Sequence, residues 1–177
     1  MGQLHDNISG LPIIAHNASF ERRFLEAELG RIGRRLGNDI YCSMRVARRI
    51  FSDAPNHKLG TLVEHAGLRF SVQAHRAMAD ADVTAKLWFE MEKSVQWNYG
   101  LDRVPFGLMA QLQSDRIAST GNFIRDYAER NQIPIVARQR QRHSVIAQRR
   151  SKCSTCILPR LAYFIRISSW VAGLHTV

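Results

Sequence analysis

Five consecutive residues, Leu11-Pro12-Ile13-Ile14-Ala15, are apolar with no polar alternation. A run this short and this uniform reads as a strand buried on both faces, the pattern of a parallel sheet. A turn at Ser9-Gly10 precedes it. Parallel neighbours need a crossover, and the residues that follow supply one. His16-Asn17-Ala18-Ser19 opens a helix, with Asn17 or Ser19 available as N-cap. Phe20, Phe24, Leu25, Leu29, Ile32 and Leu36 recur at helical spacing, and Gly37 closes the helix as a left-handed cap. Asp39–Ser43 reads as the next strand and Met44–Phe51 as a short helix carrying Arg45, Arg48 and Arg49. Leu59, Leu62, Val63 and Ala66 mark a further helix closed by Gly67, and a long helix runs from Ala77 to Lys93. This alternation predicts an α/β layer fold. After Gly100, two short helices pack on the body.

The charge is unevenly placed. The 177 residues hold 25 basic and 15 acidic side chains, a net +10. Residues 1–137 carry 17 basic and 15 acidic residues, and residues 138–177 carry 8 basic and none acidic. A basic chain directs attention to nucleic acid, but here the basicity belongs mostly to the tail. The 45% apolar content excludes wholesale disorder. Three cysteines cannot build a disulfide framework. No apolar run reaches the roughly 18–20 residues of a membrane span. Met1-Gly2-Gln3-Leu4-His5-Asp6 has no signal-peptide character. The expectation is a reduced, cytoplasmic protein without a membrane partner.

Two carboxylates stand out. Asp80 shares a helical stripe with Val83, Thr84, Leu87, Trp88 and Met91. An ionised carboxylate on a core-facing stripe is costly unless it is paired or binds a metal. The plainer reading is a satisfied acid near a helix N-terminus. His75 lies just before this helix. Glu21 falls in the first turn after the Leu11–Ala15 strand, at the carboxyl end where open α/β sheets place their sites. Its plainer reading is the same.

His16-Asn17-Ala18-Ser19-Phe20-Glu21, followed by His75-Arg76-Ala77-Met78-Ala79-Asp80-Ala81, resembles the second and third motifs of the DnaQ-like (DEDDh) 3′–5′ exonucleases. That family includes the proofreading epsilon subunit of bacterial DNA polymerase III. Cys42–Arg49 and Lys58–Leu62 resemble its middle. The resemblance covers about residues 8–95 and implies a ribonuclease H-like fold. It further implies hydrolysis of nucleic acid from 3′ ends, DNA before RNA, with two Mg²⁺ or Mn²⁺ ions as cofactors and a polymerase subunit as partner. Paired ions of this kind stabilise both the attacking and the leaving oxygen. By resemblance Asp80 and Glu21 are metal ligands, His75 is the general base, and His16, Asn17 and Phe20 line the substrate groove.

Two departures qualify the match. The second motif normally ends in Asp, whereas Glu21 reaches one methylene further, and Mg²⁺ tolerates little change of geometry. The family's first motif is an Asp-x-Glu on its first strand, and these 177 residues contain none. The expectation is therefore a partial ribonuclease H-like fold lacking its first strands. Residues 1–96 form the latter portion of the exonuclease domain, 97–137 a helical extension and 138–177 an irregular, poorly ordered basic tail. Catalysis is expected to be impaired, and a non-catalytic remnant that binds nucleic acid or a polymerase is the alternative. In the tail, Cys153-Ser154-Thr155-Cys156 reads as two ordinary thiols, since zinc needs four ligands and only the irregularly spaced His143 and His175 lie near. The 48 acid-free residues after Glu129 also have the composition of out-of-frame translation.

Overall fold

A computed structural model describes residues 1–69, 77–114 and 116–136 and the backbone of 163–164. The Cys153–Cys156 pair, the arginine-rich run from Arg138 and His75 lie outside the described residues. The elements run α1 (Gly2–Ile8), β1 (Ile13–Ala15), α2 (Ala18–Gly30), β2 (Ile40–Cys42), α3 (Ser43–Ile50), α4 (Leu59–His65) and α5 (Ala77–Tyr99). They continue with α6 (Phe106–Leu112), a 3₁₀ turn (Ile117–Ser119), α7 (Thr120–Arg130) and β3 (Tyr163–Phe164).

The sheet has strand order β2-β1-β3, and both pairings are parallel. Ile13 pairs with Ile40, Ile14 with Tyr41 and Ala15 with Cys42. Successive β1 side chains leave opposite faces, as the pleat requires. Ile13 packs with Ile8 of α1 and Leu25 of α2. Ile14 enters the larger core with Val46, Leu62, Val83, Leu87, Leu108 and Ile124. β1 is thus buried on both sides, which is why it shows no polar alternation. Asn38, itself buried, donates through Nδ2 to the carbonyls of Ile8 and Leu11 and ties α1 to the start of β1.

Four details differ from the sequence reading. The helix α1 was not expected; its seven residues carry a weak pattern, and only Ile8 is fully buried. α2 ends at Gly30, well before Gly37. Gly33 adopts φ +68, Arg34 N–H donates to the Leu29 carbonyl at 2.9 Å and Gly33 N–H to that of Gly30 at 3.1 Å. This paired closure is a Schellman motif, so the earlier glycine stops the helix and Ile32 is left exposed. α5 continues past Lys93 to Tyr99, because Val95 extends its buried stripe and Gly100, at φ +64, is the first residue to break it. Finally, Tyr163–Phe164, inside the stretch read as irregular, pairs with Ile13 and Ile14 and covers the outer edge of β1. An open strand edge accepts any extended backbone that reaches it.

Candidate functional site

At the carboxyl end of β1 the chain reverses through His16 and Asn17. Asn17 is left-handed, at φ 65 and ψ 54, a conformation that asparagine tolerates better than most residues. Phe20 N–H donates to the Asn17 carbonyl at 2.9 Å, and Ser19 Oγ–H donates to Asn17 Oδ1 at 3.3 Å. Asn17 holds the N-cap position, but its side chain caps no backbone N–H of α2. The turn delivers Glu21 into the first turn of α2, close to the end of β1.

Glu21 is 2% exposed and Asp80 is 2% exposed. Each lies in the first turn of its helix, where the helix dipole favours negative charge. Neither carboxylate is without a partner. The stripe below Asp80 is buried as its spacing predicts: Val83, Thr84, Leu87, Trp88 and Met91 are all inaccessible. Thr84 Oγ–H donates back to the Asp80 carbonyl at 2.7 Å, which consumes the hydroxyl within the helix.

His16 is also enclosed, at 8% exposure. Its Nε2 faces the His57 carbonyl at 3.1 Å and its Nδ1 faces Ser43 Oγ at 3.0 Å. A carbonyl can only accept, so Nε2 carries the proton, while the Ser43 hydroxyl beside Nδ1 also has the Ala15 carbonyl as an acceptor at 3.4 Å. Both ring nitrogens are therefore engaged by the protein, and the ring ties the β1 turn to the N-terminus of α3 and to the 51–58 loop. His57 Nε2 reaches in turn to the Phe51 carbonyl at 3.1 Å. Phe20 differs, presenting 44% of its surface to solvent, and Asn17 is exposed.

The structure thus gathers His16, Asn17, Phe20 and Glu21 around one turn and places Asp80 at the start of α5. Ser43, His57 and Gln113 were not singled out in the sequence. Gln113 Oε1 accepts from Cys42 N–H at 3.1 Å and closes part of the β2 edge. Nothing local announces such roles, because each partner is 27 to 71 residues away. Glu92 was missed for another reason. It takes a 2.7 Å hydrogen bond from Trp88 Nε1, one turn before it. Burial pushes its carboxyl up to about 7, against the lowering effect of that hydrogen bond.

Hard oxygen ligands such as Glu21 and Asp80 suit Mg²⁺ or Mn²⁺. Among the described residues, however, no group of three or more His, Cys, Asp or Glu could hold a metal ion. Two carboxylates do not make a two-ion cage. No helix among the described residues is long and apolar enough to cross a membrane.

Residues 7–88, which contain His16, Asn17, Phe20, Glu21, His75 and Asp80, match the family model described as exonuclease. Over residues 7–88 the chain is thus similar to the DnaQ-like exonucleases. The chain is 30% identical over 87 residues to a DNA polymerase III PolC-type of Caldanaerobacter subterraneus, covering 49% of this chain and 6% of that protein. It is 34% identical over 80 residues to the protein of that name from Oceanobacillus iheyensis, covering 45% and 6%. It is 30% identical over 91 residues to that of Listeria monocytogenes, covering 51% and 6%. The chain thus spans about 6% of the length of these curated relatives. No solved structure matches.

Proposed function

We propose that the chain acts as a 3′–5′ exonuclease-family domain on nucleic acid 3′ ends, with a partial ribonuclease H-like fold and impaired catalysis. The observation that carries this reading is the pair of enclosed carboxylates, Glu21 and Asp80, each in the first turn of a helix within the family segment. DNA is the preferred substrate and a polymerase the partner, readings supported by the relatives, which are named as DNA polymerases. A cytoplasmic location goes with such a role. In this reading Asn17 and exposed Phe20 border the strand end and His75 takes the proton from the attacking water, a task suited to imidazole near neutral pH. His16 acts through the turn it holds.

The test is degradation of an oligonucleotide labelled at its 5′ end by the purified chain, in Mg²⁺ and in Mn²⁺. Slow, metal-dependent shortening from the 3′ end that His75→Ala abolishes is the expected result. The second reading, a non-catalytic remnant, is favoured by the absence of an Asp-x-Glu and of a third donor among the described residues. Mn²⁺ titration separates the two. A remnant shows no tight site, and oligonucleotide binding without any shortening would replace the first reading with the second.

A further inference from the structure

A cleft of about 620 Å³ opens at the β2 side of the sheet, between Tyr41 and the α6–α7 pair, and the exonuclease reading makes no use of it. Three aromatic rings line it: Tyr41, Phe106 and Phe123. Tyr41 and Phe106 meet edge to face with centroids 5.0 Å apart, so both orientations are set. Gln111, Gln113 and Ser114 line it too, and among the described residues no charged side chain does. Gln113 spends Oε1 on Cys42 N–H, which leaves its NH₂ as a donor.

Tyr127 packs behind one wall of the cleft. It is nine-tenths buried, and its hydroxyl makes no hydrogen bond among the described residues. That hydroxyl stands against Gly107 in the cleft wall, 2.8 Å from where a Cβ would lie.

Aromatic faces combined with neutral donors and acceptors suit a planar ring with a polar edge. A purely hydrocarbon ring would offer no partner to the Gln111 amide or to the Gln113 NH₂. We infer that this cleft binds an unpaired nucleobase of a single strand, at a position separate from the Glu21 and Asp80 turns. The inference rests on the proposal that nucleic acid is the substrate. It does not require hydrolysis. Stacking tolerates every base, because each has a π-face, while an amide edge adds hydrogen bonds.

The experiment compares binding of a short oligothymidylate with that of an abasic strand of the same length, in EDTA. Backbone contacts, including any from the basic tail, are common to both strands and cancel. The oligothymidylate is expected to bind on the order of 10-fold more tightly. Phe123→Leu, which keeps apolar volume but removes the ring face, should erase that preference. Gln111→Ala, at an exposed position that the fold does not need, should reduce it. Equal affinity for the two strands overturns the inference. So does a preference that survives both variants but disappears in Phe20→Leu, which would place the base at the α2 turn. A base preference in a chain that degrades nothing leaves this inference standing and removes only the catalytic reading. Failure to bind either strand removes both.

Discussion

The Nε2–H of His16 donates to the carbonyl oxygen of His57 across 41 residues, inside a turn that the sequence marks only by its motif. Removing the ring strands the part-buried His57 carbonyl, while the Ser43 hydroxyl keeps the Ala15 carbonyl as an acceptor. His16→Phe should therefore destabilise the chain by about 1–3 kcal/mol, the cost of one enclosed group left unsatisfied. The midpoint of urea unfolding measures this. A loss below about 0.5 kcal/mol would show that the network does not hold the turn.

Glu92 makes stability depend on pH with a defined sign. Its carboxyl is raised from 4.5 to about 7 in the folded chain. Between those values the folded state binds the proton that the unfolded state has released. Stability from this group is full below pH 4.5 and is lost as pH rises through 7. Allowing for its partial exposure, the change is about 1–2 kcal/mol. Glu92→Gln should flatten the profile over that window and raise stability above pH 7. Thermal unfolding from pH 5 to 8 reads both effects, and an unchanged profile in the variant would assign them elsewhere.

The two glycines after α2 should respond differently to alanine. Gly33 has φ +68, where a side chain is strained although nothing lies within 4 Å of a Cβ. Gly33→Ala is expected to cost about 1 kcal/mol. Gly37 has no positive φ, and Gly37→Ala should be neutral or stabilise by up to about 1 kcal/mol by restricting the unfolded chain. The reverse order would restore Gly37 as the helix stop.

Gly107 and Tyr127 should be coupled. A Cβ at residue 107 would come within 2.8 Å of the Tyr127 hydroxyl, so Gly107→Ala should cost about 1–3 kcal/mol by overpacking. Tyr127→Phe alone should be neutral or stabilising, since that hydroxyl has no partner among the described residues. In the double variant the clash is gone, so the combined cost should fall well below that of Gly107→Ala. Strict additivity in a double-mutant cycle would deny the contact.

Much of the fold is legible where the pattern is local. The β1 run, the α5 stripe from Asp80 to Met91 and the Gly67 stop of α4 rest on period or on one residue's conformation; the last two occur as read, and the strand forms over Ile13–Ala15 of the run Leu11–Ala15. Gly67 has φ +68, and Leu68 N–H donates to the Val63 carbonyl at 2.8 Å. The α2 stripe reads too long because hydrophobic spacing continues through Ile32 and Leu36, whereas helix termination depends on which glycine turns left-handed first. At the candidate site the motif identifies Glu21 and Asp80 as noteworthy, and both are enclosed. It also names His16 as a groove residue, a role that its two protein hydrogen bonds leave little room for. A histidine in a motif looks the same whether its nitrogens face a ligand or a carbonyl.

The sequence by itself determined the βαβ order, the enclosed stripe of α5 and the exonuclease resemblance of residues 7–88, because these rest on short-range periodicity and on motifs along one segment. Tertiary structure alone decided what His16 holds, where Gln113 spends its amide, how Glu92 keeps a near-neutral carboxyl and which surface Tyr41 and Phe123 share. Those outcomes depend on burial and on partners that are distant in sequence. Hydrogen bonding and desolvation are set by which groups the fold brings together, and no local pattern carries that information.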